Sequence, residues 1–313
     1  MPFFAYGSFQ PGQLAFNQVA GLVASAPDAR LDDYHLVLRD GLPLLVEGGG
    51  GVQGALLTFR DNQTGDGYSR IGAFEPAEQY MWHAVTIGHE LAWACLGRRP
   101  QAGTAHAEET NTWSSADDPS LVFGIPTVAR LAREYMSVGD EIGVGSGAKR
   151  SDDPNWTGFF GLQSAYLLLW SIVERIATFR YGAVGGPNSR VDNLGKDELV
   201  MRVVLDLGVP TNSIYRPLYD TRFPKKPVKI APNGAKALKY WYQVRNNVAH
   251  RGKAGMTDWQ LLEDSLTDLH EVIMRVLREW LPELADAWGD RVSPPATSSL
   301  KVAPPKLAPL SGS

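Results

Sequence analysis

The sequence has a single cysteine, Cys95, so no disulfide can close within the chain and no cysteine-built zinc site can form. A reducing compartment, the cytoplasm, is the expectation. No uninterrupted apolar run reaches the roughly 18 residues that a membrane crossing needs, which argues against a transmembrane helix. The first residues, Met1-Pro2-Phe3-Phe4-Ala5-Tyr6, lack a basic region and a small-residue cleavage site, so no signal peptide is expected. The six histidines are scattered and suggest no metal triad, so neither a metal nor a cofactor is expected. The glycine run 48–51 has no Lys-Ser/Thr after it, which excludes a phosphate-binding P-loop and leaves a hairpin turn. There is no internal repeat.

What remains is ordinary globular composition: 313 residues, 44% hydrophobic and 20% charged. At roughly 100–200 residues per domain, that length suits two domains. Charge is split unevenly. Residues 1–150 carry 17 acidic and 10 basic side chains, residues 151–313 carry 17 and 20. The excess is concentrated at 216–253, where ten basic residues meet one acid, Asp220. Such a stretch is either a solvated face or a surface for a polyanion.

Two textures follow one another along the chain. Up to about residue 90, short apolar or alternating runs at 3–5, 34–38, 42–46, 52–59 and 81–87 are separated by Gly, Pro, Asn and Asp, which predicts strands and turns. Residues 125–136 place Ile125, Val128, Leu131, Ala132 and Tyr135 on one stripe of a short helix. Residues 139–155, rich in Gly, Ser and charge, suit a linker. Helices are then expected at 158–181, 197–207 and 235–250, with a proline-rich loop at 210–232. A fourth helix follows a capping box, Thr257-x-x-Gln260, and carries Leu262, Leu266, Leu269, Ile273, Val276 and Trp280 on one face. Residues 292–313, rich in Pro, Ser and Ala, read as a disordered tail. Trp82, Trp93 and Trp113 suit core packing, and Cys95 suits a buried, inert thiol.

The first constellation is Tyr6-Gly7-Ser8-Phe9, directly after the first strand. A glycine at a strand exit lets backbone N–H groups converge on a carboxylate or an oxyanion, although most such tetrapeptides are simple turns. Glu75, among apolar neighbours and five residues before Tyr80, suits a general acid/base with a raised pKa. Phe4-Ala5-Tyr6-Gly7-Ser8-Phe9, Gly41-Leu42-Pro43, Val52-Gln53-Gly54-Ala55 and Phe74-Glu75 with Tyr80 resemble, in order and spacing, the gamma-glutamylcyclotransferase-like family. The match covers about residues 1–90, with a weaker extension through Trp113 and Asp117-Asp118-Pro119 to about 137. The resemblance implies a small, mixed, barrel-like sheet and a substrate held by the Tyr6–Gly7–Ser8–Phe9 backbone and Tyr80. It also implies that Glu75 moves the proton while an α-amine attacks a γ-carbonyl to release 5-oxoproline. Phe9, Gly72 and Pro76 depart from the family pattern, and Glu78 is the alternative acid/base.

The second constellation lies at the end of the third C-terminal helix. Asn246 and His250 share a helix face as i and i+4, with Arg245 able to bend toward them. Imidazole and guanidinium together suit phosphodiester cleavage: one handles a proton near neutral pH, the other neutralises phosphoryl charge. The Arg-Asn-x3-His string, its helical setting and the basic surroundings resemble the HEPN superfamily over about residues 156–290. That resemblance implies an antiparallel helical bundle that dimerises around one RNA cleft. Arg245 and His250 would be catalytic and Asn246 supporting, with Glu174 on the first helix and Arg251 as further supports. The alternative for Glu174 is an ion pair with Arg175 or Arg180.

Together these readings predict an α+β protein of two domains. A cyclotransferase-like, barrel-like domain covers 1–138, a linker 139–155, an HEPN-like all-α bundle 156–291, and a tail 292–313. The reading placed first is a metal-independent endoribonuclease of toxin or defence type, regulated by an N-terminal domain that senses a γ-glutamyl metabolite. The alternative is a γ-glutamyl(amine) cyclotransferase whose helical domain serves dimerisation or RNA binding. RNA, a homodimer partner and an antitoxin are the partners this implies, with no membrane.

Overall fold

The computed structural model describes residues 1–39, 41–75, 77–98, 109–142, 154–182, 186–211, 215–219, 225–251 and 258–292. Most of the expected linker, and the tail from residue 293, lie outside the described residues.

The N-terminal half is a mixed sheet. Its strands are β1 (Phe3–Ala5), β2 (Val23–Ser25), β3 (Asp28–Arg39), β4 (Leu42–Phe59), β5 (Tyr80–Ile87), β6 (Glu90–Gly97) and β7 (Glu109–Thr110). The order is β5-β6-β1-β4-β3-β7, with β2 also pairing β4. The runs 42–46 and 52–59 are one strand, and the glycine run 48–51 lies inside it rather than in a hairpin turn. The hairpin turn is at Gly41, whose φ of 74° suits glycine. Between the pairs Asp32↔Gly51 and Tyr34↔Glu47, one residue of β3 faces three of β4. Asp33, Gly48 and Gly50 absorb this bulge with φ of 64°, 154° and 138°. The bulge bends β4 so that its later half joins β1 antiparallel while its earlier half meets β6 parallel at Leu45↔Leu96. Since β1 is parallel to β6, the sheet curls back on itself.

Two elements here run against their sequence. β6 was not legible because ELAWACLG is a central strand without alternation. After the single-turn helix α1 (Asn17–Ala20), helix α2 (Thr64–Phe74) forms although it contains three glycines. Its Gly67 sits so close to Phe59 that a Cβ would lie 2.5 Å from the ring. Tight packing therefore outweighs poor helix propensity.

The helical half comprises α3 (Ile125–Ile142), α4 (Pro154–Tyr181), α5 (Pro187–Lys196), α6 (Glu198–Asp206), α7 (Gly234–Arg251), α8 (Trp259–Trp280) and α9 (Glu283–Trp288). Segment Trp156–Tyr181 of α4 is apolar and long enough to cross a membrane. Here it is the central helix, packed against α3, α5, α7 and α8. Helix α3, counted with the first domain from sequence, packs on α4 and α8. The capping box does not start α8: the N-cap is Asp258, without a side-chain cap bond, and Gln260 donates instead to Asp264. Helix α5 was missed because its first turn, Pro-Asn-Ser, has turn composition; Pro187 instead starts the helix.

Alternation along β1 divides the core. Phe4 faces a large cluster continuous with the helical half, running through Trp170 and Trp241 to Trp288. Phe3 and Ala5 face a smaller one with Phe9, Val19, Phe59, Ile71, Tyr80 and Cys95. Trp113 is buried, whereas Trp82, expected in the core, is 41% exposed.

Candidate active site

The turn after β1 and the end of α2 meet over one small pocket. Its walls include Tyr6, Gly7, Ser8, Phe9, Leu42, Pro43, Phe74, Glu75, Tyr80 and Cys95. Strand pairing brings the two sides together. β1 delivers the turn, and β4, antiparallel to it, carries Leu42 and Pro43. A Cβ on Gly7 would lie 3.0 Å from Pro43 Cγ, so glycine keeps the turn against that wall. Gly54 does the same for β1, since a Cβ there would fall 2.4 Å from the Ala5 carbonyl oxygen.

Tyr6 is buried and its hydroxyl donates to the Cys95 carbonyl. Burial pushes its phenol well up, so it stays protonated. Tyr80, also buried, donates to the Pro43 carbonyl at 3.3 Å. Both hydroxyls thus tie strands together beneath the pocket. Phe9 packs its ring on Phe74 with centroids 4.7 Å apart. Among the described residues, the backbone N–H groups of Gly7, Ser8 and Phe9 make no backbone hydrogen bond. They remain as donors for a ligand.

Glu75 caps the C-terminus of α2, its own N–H donating to the Ile71 carbonyl at 2.9 Å. Desolvation raises its carboxyl to about 8. Burial and the nearby Glu75 charge also push the Cys95 thiol up, leaving it a neutral wall. No Lys, Arg or His lines the pocket among the described residues. The pocket therefore brings together the Gly7–Ser8–Phe9 turn and one carboxyl with a raised pKa. Glu78 is exposed and outside the lining, and Pro76 lies outside the described residues.

Two lining residues, Thr178 and Phe179, come from α4. Nothing in their sequence marks them, because they belong to the apolar stripe of a long helix. Gln79 and Cys95 also line the pocket without a motif to announce them.

The second constellation is assembled in part. Arg245, on α7, donates to Asn246 Oδ1 at 3.3 Å and lies 3.9 Å from Glu174 Oε1. Glu174 also accepts from Trp170 Nε1 at 2.8 Å. The alternative partners of Glu174 are engaged elsewhere: Arg175 pairs with Asp118 at 2.7 Å and Arg180 with Asp197 at 2.8 Å. His250 and Arg251 end α7, and their side chains lie outside the described residues. Lys225, Lys226, Lys229, Lys236 and Lys239 are exposed. Trp241 is fully buried in the bundle. Among the described residues, no group of His, Cys, Asp and Glu is placed to hold a metal.

Residues 3–115 match the family model described as gamma-glutamyl cyclotransferase, AIG2-like, and the N-terminal part of this chain is a domain of that kind. Two solved structures resemble it. One is an uncharacterized protein from Pyrococcus horikoshii, 16% identical over 39% of this chain and 92% of that one, with a TM-score of 0.29. The other is the protein ytfP from Escherichia coli, 22% identical over 37% of this chain and 97% of that one, with a TM-score of 0.27. No curated protein matches the chain. The family match stops before the helical portion, so the HEPN resemblance rests on its sequence motif.

Proposed function

We propose that the chain is a γ-glutamyl cyclotransferase acting at the Glu75 pocket, which reverses the order in which the sequence ranked its two readings. The carrying observation is that the desolvated Glu75 carboxyl and the Gly7–Ser8–Phe9 turn line one pocket. The donors hold the polarised γ-carbonyl or the α-carboxylate. Glu75, ionised, takes a proton from the α-ammonium of the substrate. The freed amine attacks the γ-carbonyl carbon and forms the ring C–N bond. Glu75 then returns the proton to the departing nitrogen as the amide C–N bond breaks, and the second proton shed by the new ring nitrogen leaves on the amine. The products are 5-oxoproline and the amine as its ammonium, with no net change in protons. A pKa near 8 suits both halves of this exchange close to neutral pH. The test is 5-oxoproline release from a panel of γ-glutamyl amides, with Glu75→Gln beside the wild type. Turnover abolished by Glu75→Gln supports the reading, and turnover that survives the change refutes it.

A second reading retains the ribonuclease. It is favoured by Arg245 lying against both Asn246 and Glu174, beside a run of exposed lysines. Arg245 would neutralise the phosphoryl group, His250 would handle the proton, and two copies would face one RNA. Induced expression of wild type and His250→Ala, with total RNA examined, decides it. RNA fragmentation and growth arrest in the wild type alone support the nuclease; intact RNA in both removes it.

A further inference from the structure

The Glu75 pocket is not closed by its own domain. Thr178 and Phe179, on the last turns of α4, complete its wall although they stand more than 60 residues beyond the family match. Phe179 is 1% exposed and held from several sides. The Trp113 ring meets it edge-on at 5.8 Å, and the Arg175 guanidinium lies over its ring at 4.4 Å. Arg175 is fixed in turn by Nε and Nη2 bonds of 3.1 and 2.7 Å to Asp118 Oδ2. Trp113 is fixed by donating to the Gly41 carbonyl at 3.0 Å. Below Phe179, a Cβ on Gly182 would fall 2.8 Å from the Phe74 carbonyl oxygen, so the helix end rests on the backbone just before Glu75. Thr178 spends its hydroxyl proton on the Glu174 carbonyl at 2.9 Å.

We propose that Phe179, with Thr178, is the specificity wall of this pocket, restricting it to γ-glutamyl amides whose leaving amine is small and uncharged. This rests on the cyclotransferase reading. The glutamyl half must lie between the Gly7–Ser8–Phe9 donors and Glu75. What it leaves to the substituent on the departing nitrogen is the side formed by Leu42, Pro43, Thr178 and Phe179. The pocket, partly open to solvent, has a volume of only about 40 Å³, room for two or three waters. A substrate therefore presses on its walls, and the clamped Phe179 side is the one least able to yield. A leaving group with a carboxylate would be desolvated with no cation among the described lining residues.

The experiment compares wild type, Phe179→Leu and Phe179→Ala on the γ-glutamyl derivatives of methylamine, butylamine, benzylamine and glycine. It reads 5-oxoproline release and, independently, binding by calorimetry in the Glu75→Gln background. Phe179→Leu keeps an apolar side chain in the core, so it tests the wall even where Phe179→Ala fails to fold. In the wild type, kcat/KM should fall at least tenfold from the methylamide to the benzylamide and to the glycine compound. Phe179→Leu should raise kcat/KM for the benzylamide relative to the methylamide by tenfold or more, through KM, with the glycine compound still poor. Equal losses on all four compounds would reduce Phe179 to a structural role and overturn the proposal. If the wild type releases no 5-oxoproline, the cyclotransferase reading fails by itself and the wall is judged on binding. There, a size ranking relaxed by Phe179→Leu sustains it; equal binding of small and large amides, or none, overturns it.

Discussion

Thr178 Oγ1 donates to the Glu174 carbonyl oxygen at 2.9 Å, across one turn of α4. The two residues serve different places: Thr178 lines the Glu75 pocket, and Glu174 lies beside Arg245 on α7. One rigid turn of helix thus abuts both constellations that the sequence singled out. The physical division of the molecule does not follow its division into motifs.

The raised pKa of Glu75 has a kinetic consequence. Ring closure needs the carboxylate to accept a proton from the substrate ammonium. The value of kcat/KM should therefore rise with pH through an ionisation near 8. Glu75→Gln should lower it by about a hundredfold or more and flatten the profile. A rate that falls through pH 8 would contradict the assigned role.

Stability should respond to pH at two desolvated groups in opposite senses. The folded-state pKa of Glu75 lies at about 8, above its ordinary 4.5, so the folded chain holds the extra proton in that window. Stability falls as pH rises from about 4.5 to 8, and Glu75→Gln removes that slope. His270 is the converse. Burial, with Arg133 and Arg278 nearby and only partly offset by Glu271, lowers it from 6.5 to about 4. Its contribution is present above pH 6.5 and is lost as pH falls toward 4, worth on the order of 3 kcal/mol. Urea unfolding of wild type, Glu75→Gln and His270→Gln at pH 4.5, 6.5 and 8 separates the two.

The Asp118–Arg175 pair should behave as a buried ion pair, because the Asp118 side chain is only 1% exposed. Asp118→Ala removes the buried carboxylate that pairs with this guanidinium and should cost about 3–5 kcal/mol. Replacing both residues by apolar ones, Asp118→Leu with Arg175→Met, should recover most of that loss. Urea midpoints with unchanged slopes are the measurement. An equally unstable double variant would place the cost in packing rather than charge.

Gly54 should not tolerate alanine. Its Cβ would stand 2.4 Å from the Ala5 carbonyl, so β1 must shift, and β1 carries the Tyr6–Gly7–Ser8–Phe9 turn. We expect about 1–3 kcal/mol of destabilisation from overpacking. Loss of 5-oxoproline release should exceed what that instability explains when assayed at low temperature. Unaltered activity would show that the turn does not depend on the register of β1.

Much of the fold is legible in local pattern. The first strand, the Gly41 hairpin turn, the apolar stripes of α3 and α8, the long α4 ending at Gly182, and the Asp197 start of α6 all follow from periodicity or turn chemistry. These features need only neighbours within a few residues. Tyr6, Gly7, Ser8, Phe9 and Glu75 could be picked out because a strand exit and a carboxylate among apolar residues are local signals too. What local pattern could not supply is the company that packing provides. The glycine-rich α2 is a helix because Gly67 must press on Phe59, and the glycine run 48–51 is a bulged strand because β3 pairs across it. Desolvation of Glu75 depends on how α2 docks against the sheet. Thr178 and Phe179 reach its pocket only because α4 runs through the centre of one continuous core and stops against Phe74. Composition and spacing determined which side chains could do chemistry; desolvation and the placement of distant walls, which are properties of tertiary packing, decided where that chemistry has a pocket.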